Sequence, residues 1–365
     1  MATAVQDLAA GRDHSLVLRS DASLQGWGGD GTGRFPPPAG ICTAPPTAQA
    51  AVVVRAAQPL QQISASGGTS LGLDAHGTAY LWGANRAGIG GALAHIVHER
   101  PQPLRGLPAI AQLSSGEFFA LALARDGRLF AWGLVNHAGN VRNRGPAPLA
   151  GLPAVAHCDV GGAHALAIDR SRRLWAWGSN AAGQLGLGHL DDQDQPRPVN
   201  LPGGALACAA GASHSLAIDA QGAVWGWGSN QHGQLGSRQD AYRDAPLRIA
   251  LPEKITQVAA GMYVSYALGR SGRLYAWGWN ARGQLGQGDL KPHAGILAVQ
   301  LPARVRQIAS GQAHVLATDG DQVWAWGDNT SGQLGREGGP TGTPQPLPIV
   351  SAARSTATSI SKSNT

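Results

Sequence analysis

Residues 209–218 read Ala-Ala-Gly-Ala-Ser-His-Ser-Leu-Ala-Ile, and residues 224–236 read Val-Trp-Gly-Trp-Gly-Ser-Asn-Gln-His-Gly-Gln-Leu-Gly. In the first stretch, Leu216 and Ile218 alternate with small or polar side chains, which is typical of a half-buried strand. The second stretch opens with the same kind of alternation. In other copies of this pattern a tight glycine turn, such as Asp126-Gly127, joins the two stretches. The pattern therefore predicts an antiparallel hairpin.

The Trp-Gly pair of this hairpin recurs along the chain with successive spacings of 55, 50, 45, 50, 50 and 49 residues. A period of about fifty residues that carries several short strands is typical of a propeller blade. The seven copies of the tryptophan are Trp27, Trp82, Trp132, Trp177, Trp227, Trp277 and Trp326. The sequence therefore predicts an all-β fold, a seven-bladed β-propeller of antiparallel blades.

A shorter strand precedes each hairpin, with an apolar residue three positions before the repeat glycine. The residues at this position are Leu8, Ile63, Leu113, Cys158, Cys208, Val258 and Ile308. Because Cys158 and Cys208 stand where the other copies have aliphatic side chains, we interpret them as buried small hydrophobes. Three cysteines without a Cys-x-x-Cys or Cys/His spacing indicate neither a disulfide framework nor a metal site.

The two ends of the chain together hold about one further repeat length. Residues 1–27 lead up to the first repeat tryptophan, and residues 326–350 follow the last one. We predict that the N- and C-terminal halves share one blade and so close the ring, which removes exposed sheet edges. The propeller is expected over residues 1–350. Residues 351–365, rich in Ser, Thr and Ala, are expected to form a disordered tail.

The stretches 209–218 and 224–236, with the Trp-Gly-x-Asn-x-x-Gly-Gln-Leu-Gly pattern at 177–186, 277–286 and 326–335, carry a family resemblance. The chain resembles the RCC1 repeat family, named for the regulator of chromosome condensation, over residues 1–350. The resemblance implies a seven-bladed β-propeller of four-stranded antiparallel blades, whose terminal halves share one blade. It also implies either a protein-interaction role or guanine-nucleotide exchange on a small GTPase.

Composition adds a limited set of expectations. The formal net charge is +6 and the isoelectric point about 9.6, but the arginines are spread along the chain without a basic run. This dispersion does not favour nucleic acid as the partner. The sequence shows no targeting segment and no apolar stretch long enough to span a membrane. We therefore expect a cytoplasmic monomer that has no membrane partner.

No nucleophile, P-loop or zinc-protease motif occurs, so we expect neither a catalytic residue nor a cofactor. Guanine-nucleotide exchange is the single activity left open. Four repeat histidines are candidates for a metal or catalytic set: His14, His164, His214 and His314. Because they occupy the same position in different blades, we interpret them as structural residues that hydrogen-bond locally to the backbone.

The candidate partner-binding residues fall in links between strands. Trp279 stands where other copies have Ser, Ala or Asp, and a surface tryptophan is a frequent binding hot spot. An acidic cluster would suit a basic partner, and Glu117 with an Asn136-His137 loop belongs to the blade that the resemblance links to exchange. The full set is Glu117, Asn136, His137, Asp191, Asp192, Asp194, Trp279 and Arg282. The Pro-rich insertion at residues 35–46 is either a projecting contact or a tolerated surface loop.

Three functions fit this pattern. The first is a protein-interaction platform that binds a protein partner through loops on one face of the propeller. The alternative is a guanine-nucleotide exchange factor for a small GTPase, although the predicted loop at 136–137 lacks an aspartate. The second alternative is a proteinaceous enzyme inhibitor. Capture of a small GTPase, of another stoichiometric protein, or of neither would discriminate among them.

Overall fold

The computed structural model describes residues 3–29, 51–84, 97–137, 140–237 and 239–348. Within these ranges every regular element is a β-strand. The same ranges hold no helix that is long and apolar enough to cross a membrane. The Pro-rich insertion and the predicted tail at 351–365 lie outside the described residues.

The strands form seven four-stranded blades in chain order. Blade 1 contains β1 (Val5–Ala10), β2 (His14–Arg19), β3 (Leu24–Gly28) and β4 (Val52–Val54), and blade 2 contains β5 (Leu60–Ser66), β6 (Thr69–Asp74), β7 (Ala79–Ala84) and β8 (Val97–Pro103). Blade 3 contains β9 (Ile110–Ser115), β10 (Phe119–Ala124), β11 (Leu129–His137) and β12 (Asn140–Pro148). Blade 4 contains β13 (Val155–Val160), β14 (His164–Asp169), β15 (Leu174–Gly178) and β16 (Gln193–Val199). Blade 5 contains β17 (Ala205–Ala210), β18 (His214–Asp219), β19 (Val224–Ser229) and β20 (Tyr242–Ile249). Blade 6 contains β21 (Ile255–Ala260), β22 (Val264–Gly269), β23 (Leu274–Gly278) and β24 (Leu297–Val299). Blade 7 contains β25 (Gln307–Ser310), β26 (His314–Thr318), β27 (Val323–Gly327) and β28 (Thr341–Pro346).

Each blade is an up-and-down antiparallel sheet whose strands are hydrogen-bonded in sequence order. In blade 5, for example, Leu216 pairs with Ala209 on one side and with Gly226 on the other. The predicted seven-bladed, four-stranded architecture is therefore confirmed. The predicted hairpins are the second and third strands of each blade.

The first strands surround a central channel that encloses a cavity of about 350 Å³. Their predicted apolar positions are buried, including Cys158 at 0% and Cys208 at 6% exposure. Burial raises the pKa of both thiols, so neither is a ready nucleophile. The interpretation of these cysteines as small core residues agrees with this environment.

The hydrophobic core lies between neighbouring blades. One cluster packs Leu166, Ile168 and Leu174 of blade 4 against Cys208 and Trp227 of blade 5, and each other described cluster joins two adjacent blades in the same way. Six of the seven repeat tryptophans have no exposed surface. The tryptophan of one blade therefore stabilises the packing of its blade on the preceding blade, which is why it recurs in every copy.

The prediction that the two chain ends share a blade is wrong. Blade 1 consists of residues 5–54 and blade 7 of residues 307–346, so each blade is a continuous segment. The segment before the first repeat tryptophan and the segment after the last one add up to about one repeat whether the chain ends lie within a blade or between two blades. In this structure they lie between blades 7 and 1. The length argument therefore could not determine how the ring closes.

The ring closes through contacts between blades 7 and 1. The backbone N–H of Val5 donates to the Gly320 carbonyl at 2.6 Å, and Gln307 Nε2 donates to Asp7 Oδ1 at 2.7 Å. The first bond repeats at other blade junctions, where Ile255 N donates to Gly222 O and Val305 N donates to Gly272 O. The closing junction therefore follows the rule of the other junctions.

Candidate functional site

The links between strands divide between two ends of the ring. The links from first to second strands and from third to fourth strands open on one end, which we call the loop face. All eight predicted partner-binding residues belong to these links or to the strand ends beside them: Glu117, Asn136, His137, Asp191, Asp192, Asp194, Trp279 and Arg282. The short turns between second and third strands, together with the connections between blades, form the opposite end, which we call the turn face.

Trp279 packs in a cluster of three rings on the loop face. It directly follows β23, Tyr263 lies in the link before β22, and His232 comes from the blade 5 link. Ring centroids are 5.8 Å apart for Tyr263 and Trp279, which meet edge to face at 88°, and 4.7 Å for His232 and Tyr263. All three side chains are half-buried. We call these residues the aromatic cluster.

Two buried side chains hydrogen-bond to the backbone of the loop that carries Arg282. The buried Asn280 accepts a hydrogen bond from Leu285 N at 2.9 Å, and Gln284 Oε1 accepts one from Arg282 N at 2.8 Å. The Arg282 side chain is 46% exposed and lies 3.9 Å from Asp328. Arg282 therefore sits on a rigid base, in the same link as Trp279, and its guanidinium lies near Asp328 of blade 7.

The recurring Asn-x-x-Gly-Gln-Leu-Gly loop joins adjacent blades. The Gln234 carbonyl accepts hydrogen bonds from Trp277 Nε1 and Ser265 Oγ, both at 2.8 Å and both in the next blade. The Gln184 carbonyl does the same for Trp227 and Ser215. The shared residues of the repeat loop therefore serve the packing of one blade on the next.

The acidic residues of the blade 4 link do not act as one cluster. Asp192 accepts a hydrogen bond from Asn180 N at 2.7 Å and so supports the loop. Asp191 is 87% exposed in its side chain and lies 3.6 Å from His189. Asp194 is exposed within β16. Asp191 and Asp194 are exposed on the loop face, whereas Asp192 supports the loop, and their contact with a partner stays a prediction.

Glu117 reaches across the mouth of the central channel. Its carboxylate accepts hydrogen bonds from Arg12 of blade 1 at 2.7 Å and from Gln312 of blade 7 at 3.3 Å. Blades 3 and 7 stand nearly opposite each other in a ring of seven, so these contacts span the opening. Glu117 therefore braces the loop face, and its contact with a partner stays a prediction.

The expected loop at Asn136 and His137 is instead a strand. Both residues belong to β11, where Asn136 pairs with Val141 and His137 with Asn140 of β12. The other third strands end near the glycine that follows the repeat tryptophan, whereas this hairpin continues past Gly133. The prediction of a loop was wrong because the hydrogen-bonded pairing of β11 with β12 continues through these residues. The β11–β12 hairpin therefore projects from the loop face. The side chains of these two residues lie outside the described part.

The repeat histidines are structural, but their partners are not local backbone groups. His214 Nε2 lies 2.9 Å from Ser265 Oγ of the next blade, and His314 Nε2 lies 3.0 Å from Ser15 Oγ across the closing junction. Because Ser265 and Ser15 donate their own protons to carbonyls, each histidine donates from Nε2. The expectation of local backbone bonds is corrected to these inter-blade bonds.

Burial keeps these imidazoles neutral. Desolvation lowers the pKa of His164 to about 3 and the pKa values of His214 and His314 to about 4. The repeat glycine packs directly on the ring, since a Cβ at Gly211 would lie 2.5 Å from His214 Cε1. The glycine and histidine therefore form one packing unit. Among the described residues, no group of three His, Cys, Asp or Glu side chains could hold a metal ion.

Sequence reasoning missed the partners of Trp279 and one further exposed ring. Tyr263 and Phe118 occupy the position two residues after the repeat glycine, where other copies have Ser213, Ala163 or Ala313. Phe118 is 43% exposed. An aromatic residue that replaces a small one in a repeat was the available signal for both.

The family comparisons agree with this architecture. Residues 142–364 match a family model described as the RCC1-like domain, and residues 5–34 and 110–140 match the regulator of chromosome condensation (RCC1) repeat. Two curated relatives match shorter segments. The probable E3 ubiquitin-protein ligase HERC6 of Homo sapiens is 34% identical over 133 residues, which is 34% of this chain and 13% of the relative. The mitochondrial RCC1 domain-containing protein RUG3 of Arabidopsis thaliana is 28% identical over 143 residues, which is 36% of this chain and 31% of the relative.

Solved structures share the fold over most of the chain. Human WBSCR16 superposes with a TM-score of 0.77 at 20% identity, covering 88% of this chain and 93% of that one. Yeast Prp20, bound to Kap60, superposes with a TM-score of 0.73 at 21% identity, covering 84% and 78%. A second structure, of Prp20p from Saccharomyces cerevisiae, was described with its binding to Gsp1p and histones. It gives a TM-score of 0.71 at 20% identity and covers 83% and 80%. At these identities the likeness concerns the fold.

Proposed function

Since the chain belongs to the RCC1-like domain family, we propose that it is a protein-interaction platform whose partner docks on the loop face of blades 5 and 6. The aromatic cluster carries this proposal. Three half-buried rings from three separate links meet at one place on the surface, and an exposed arginine lies in the same link as Trp279. Tryptophan, tyrosine and arginine are the residues that most often dominate the binding energy of protein interfaces.

The rigidity of this surface supports the proposal. The buried Asn280 and Gln284 hold the loop from below, so little conformational entropy is lost when a partner binds. Half-buried rings that are already packed together also lose little rotamer freedom. The platform therefore presents a preorganised aromatic anchor and, in the same link, an exposed positive charge, which suits a partner that carries both an apolar side chain and a carboxylate.

The test is quantitative affinity capture with three proteins: the wild type, a Trp279→Ala/Arg282→Ala variant, and a Leu206→Ala control. Leu206 is an exposed apolar side chain on the turn face, away from the proposed surface. We expect one stoichiometric partner with the wild type and the control, and its loss with the double variant. Capture that is equal with all three proteins would place the binding surface elsewhere.

A second candidate is guanine-nucleotide exchange on a small GTPase, favoured by the β11–β12 hairpin. Its two nine-residue strands extend past the point where the other third strands end, so it projects from the loop face as a wedge. The structural relative Prp20p binds Gsp1p. Nucleotide exchange requires an element that intrudes on the nucleotide site of the GTPase, and a projecting two-stranded hairpin is suited to that task.

Release of a fluorescent GDP analogue from a captured small GTPase tests this second function. We expect the wild type to accelerate release, and expect a variant with residues 134–143 replaced by a short turn to lose the acceleration while keeping its melting temperature. The Trp279→Ala/Arg282→Ala variant separates the two functions. If it abolishes capture without affecting release, exchange uses a different part of the face.

A further inference from the structure

The cavity of about 350 Å³ inside the central channel opens toward the loop face. Its wall consists of the final residues of the seven first strands and of the residues that directly follow them. A volume of this size is within the range of small-molecule sites, which are concave, mostly apolar and supplied with a few polar groups. The channel therefore offers an enclosed space that a small molecule can reach from one end of the ring.

The rim of this cavity is closed on one side and open on another. The position that follows the repeat glycine carries long side chains in blades 1, 3 and 7, where Arg12 and Gln312 both donate to Glu117. In blades 4 and 5 the same position holds Gly162 and Ala212. Because these two residues are small, the rim leaves an entrance above the junction of blades 4 and 5.

The wall below the rim is polar on one side and apolar on the other. One position of each first strand, directly after its buried apolar residue, decides this difference. It is serine in blades 2 and 3, aspartate in blade 4 and alanine in the other four blades. The residues, all of which line the cavity, are Ser64, Ser114, Asp159, Ala9, Ala209, Ala259 and Ala309. A ligand in this space therefore meets hydroxyl and carboxylate oxygens on one side and methyl groups on the other.

Asp159 fills a structural position that does not need a charge. Its Oδ2 accepts a hydrogen bond from the backbone N–H of Ala210 in the next blade at 2.9 Å. Ser114 Oγ accepts the equivalent bond from Val160 N at 3.0 Å, and the serine of blade 2 does the same. The alanines at this position have no acceptor to offer. A neutral side chain therefore suffices for the packing of the blades, and the ring does not require the carboxylate.

The lining of the cavity is acidic. The described lining residues include the carboxylates of Asp159 and Glu117 but neither arginine nor lysine, and His157 is the only base among them. Glu117 pairs with Arg12 at the rim, whereas Asp159 receives its hydrogen bonds from a neutral hydroxyl and a backbone N–H. Desolvation by the channel wall raises the pKa of Asp159. A cation placed beside it would stabilise its charged form.

The strand next to Asp159 leaves room for a ligand. The position directly before the buried apolar residue is glutamine in four blades, where it projects along the channel wall. Gln112, for example, bonds to both the backbone N–H and the carbonyl of Cys158 in the next blade. In blade 5 this position is Ala207, which lines the cavity together with Ala209. The short side chain of Ala207 therefore widens the channel beside the carboxylate.

We propose that the channel cavity binds a small organic cation, whose ammonium group lies against Asp159 and whose apolar body packs on the alanines of the opposite wall. A charge-assisted hydrogen bond to a carboxylate is stronger than one between neutral groups, so Asp159 supplies the specificity for charge. The ligand enters between blades 4 and 5. Because this site lies inside the ring, it does not depend on the protein partner of the aromatic cluster.

Binding of para-fluorophenethylammonium, followed by fluorine NMR, tests the proposal. The matched neutral probe is para-fluorophenethyl alcohol, which has the same ring and chain but no charge. We expect the wild type to bind the ammonium probe saturably at one site. The alcohol should bind at least about ten-fold more weakly, because it cannot form a charge-assisted bond to the carboxylate.

Three variants locate the site. Asp159→Ser introduces the residue that blades 2 and 3 have at this position, so we expect an almost unchanged melting temperature and equal affinities for the two probes. Ala207→Gln introduces the residue of four other blades and should weaken the binding of both probes by narrowing the cavity. Asp321→Ser removes an exposed carboxylate of the turn face and should leave the binding of both probes unchanged.

Three results would overturn the proposal. The first is a wild type that does not bind the ammonium probe saturably. The second is equal affinity of the wild type for the ammonium probe and the alcohol. The third is unchanged affinity for the ammonium probe in both Asp159→Ser and Ala207→Gln, which would place the bound cation outside this cavity.

Discussion

Trp277 and Trp279 lie two residues apart in blade 6 but belong to two different regions. Trp277 has no exposed surface, packs between blades 5 and 6, and donates to the Gln234 carbonyl. Trp279 is half-buried on the loop face against Tyr263 and His232. The first occurs in every repeat and the second in one. The difference teaches that a residue shared by the repeats serves the ring, whereas a residue peculiar to one repeat is the better candidate for binding.

The largest expected effect is on the core. Trp277→Ala should lower the free energy of unfolding by about 3–5 kcal/mol, because it opens a cavity between two blades and removes one of the two donors to the Gln234 carbonyl. Urea denaturation followed by circular dichroism measures this loss. Trp277→Phe, which keeps most of the ring volume, should cost less. If Trp279→Ala proves equally destabilising, the distinction between the two regions fails.

Acid should weaken the blade junctions next. The folded-state pKa values of His164, His214 and His314, at about 3, 4 and 4, lie below the unfolded value of about 6.5. The unfolded state therefore binds more protons in this range. Stability is full above pH 6.5 and falls as the pH drops toward 4, by at most about 1.4 kcal/mol per pH unit for each histidine.

Denaturation midpoints measured between pH 7.5 and about 4.5 test this dependence. His214→Gln should reduce the slope, whereas the exposed His76→Gln should not. The raised pKa values of the buried Asp7 and Asp159 act in the opposite direction, because their folded forms hold protons more tightly. A slope that is the same in the wild type and in His214→Gln would contradict a neutral, buried imidazole at this position.

A smaller effect is expected for the loop that supports the binding surface. Asn280→Ala removes the acceptor of Leu285 N and the donor to the Lys291 carbonyl, with Asn280 only 1% exposed. The expected loss is about 1–3 kcal/mol. Partner affinity should fall as well, because Trp279 and Arg282 flank this residue. The exposed Asn200→Ala serves as the control, and an unaffected affinity in Asn280→Ala would show that the loop does not position the aromatic cluster.

The smallest stability effect is expected for the aromatic cluster itself. Trp279→Ala should change the free energy of unfolding by no more than about 1 kcal/mol, since its ring is already partly exposed. Thermal unfolding by calorimetry measures this change. The same variant should lose most of its partner binding. A large drop in stability would instead assign Trp279 to the core.

The repeat made the architecture predictable because each copy specifies one blade, and Trp-Gly marks the same strand every time. The manner of ring closure was not predictable from length. Residues 1–27 and 326–350 together make about one repeat, whether the chain ends lie within one blade or between two blades. The hairpin at residues 129–148 was missed because its pattern departs from the other copies. The His–Ser bonds join residues about one repeat apart, so only the ring reveals them.

The site was predictable in part. Trp279 was noticed because other copies of the repeat have a small or polar residue at its position. Tyr263 likewise replaces a small residue, two positions after the repeat glycine. Their contact depends on how two links fold over one blade, which no spacing in the sequence indicates.

Site-specific photo-crosslinking tests the central claim, that a protein partner docks at the aromatic cluster, most directly. A photoreactive residue placed at Arg282 on the loop face is compared with one at Leu206 on the turn face. The account predicts a discrete covalent protein adduct from position 282, lost when Trp279→Ala is added, and no such adduct from position 206. An adduct from position 206 alone, or one from position 282 that persists without Trp279, would contradict it.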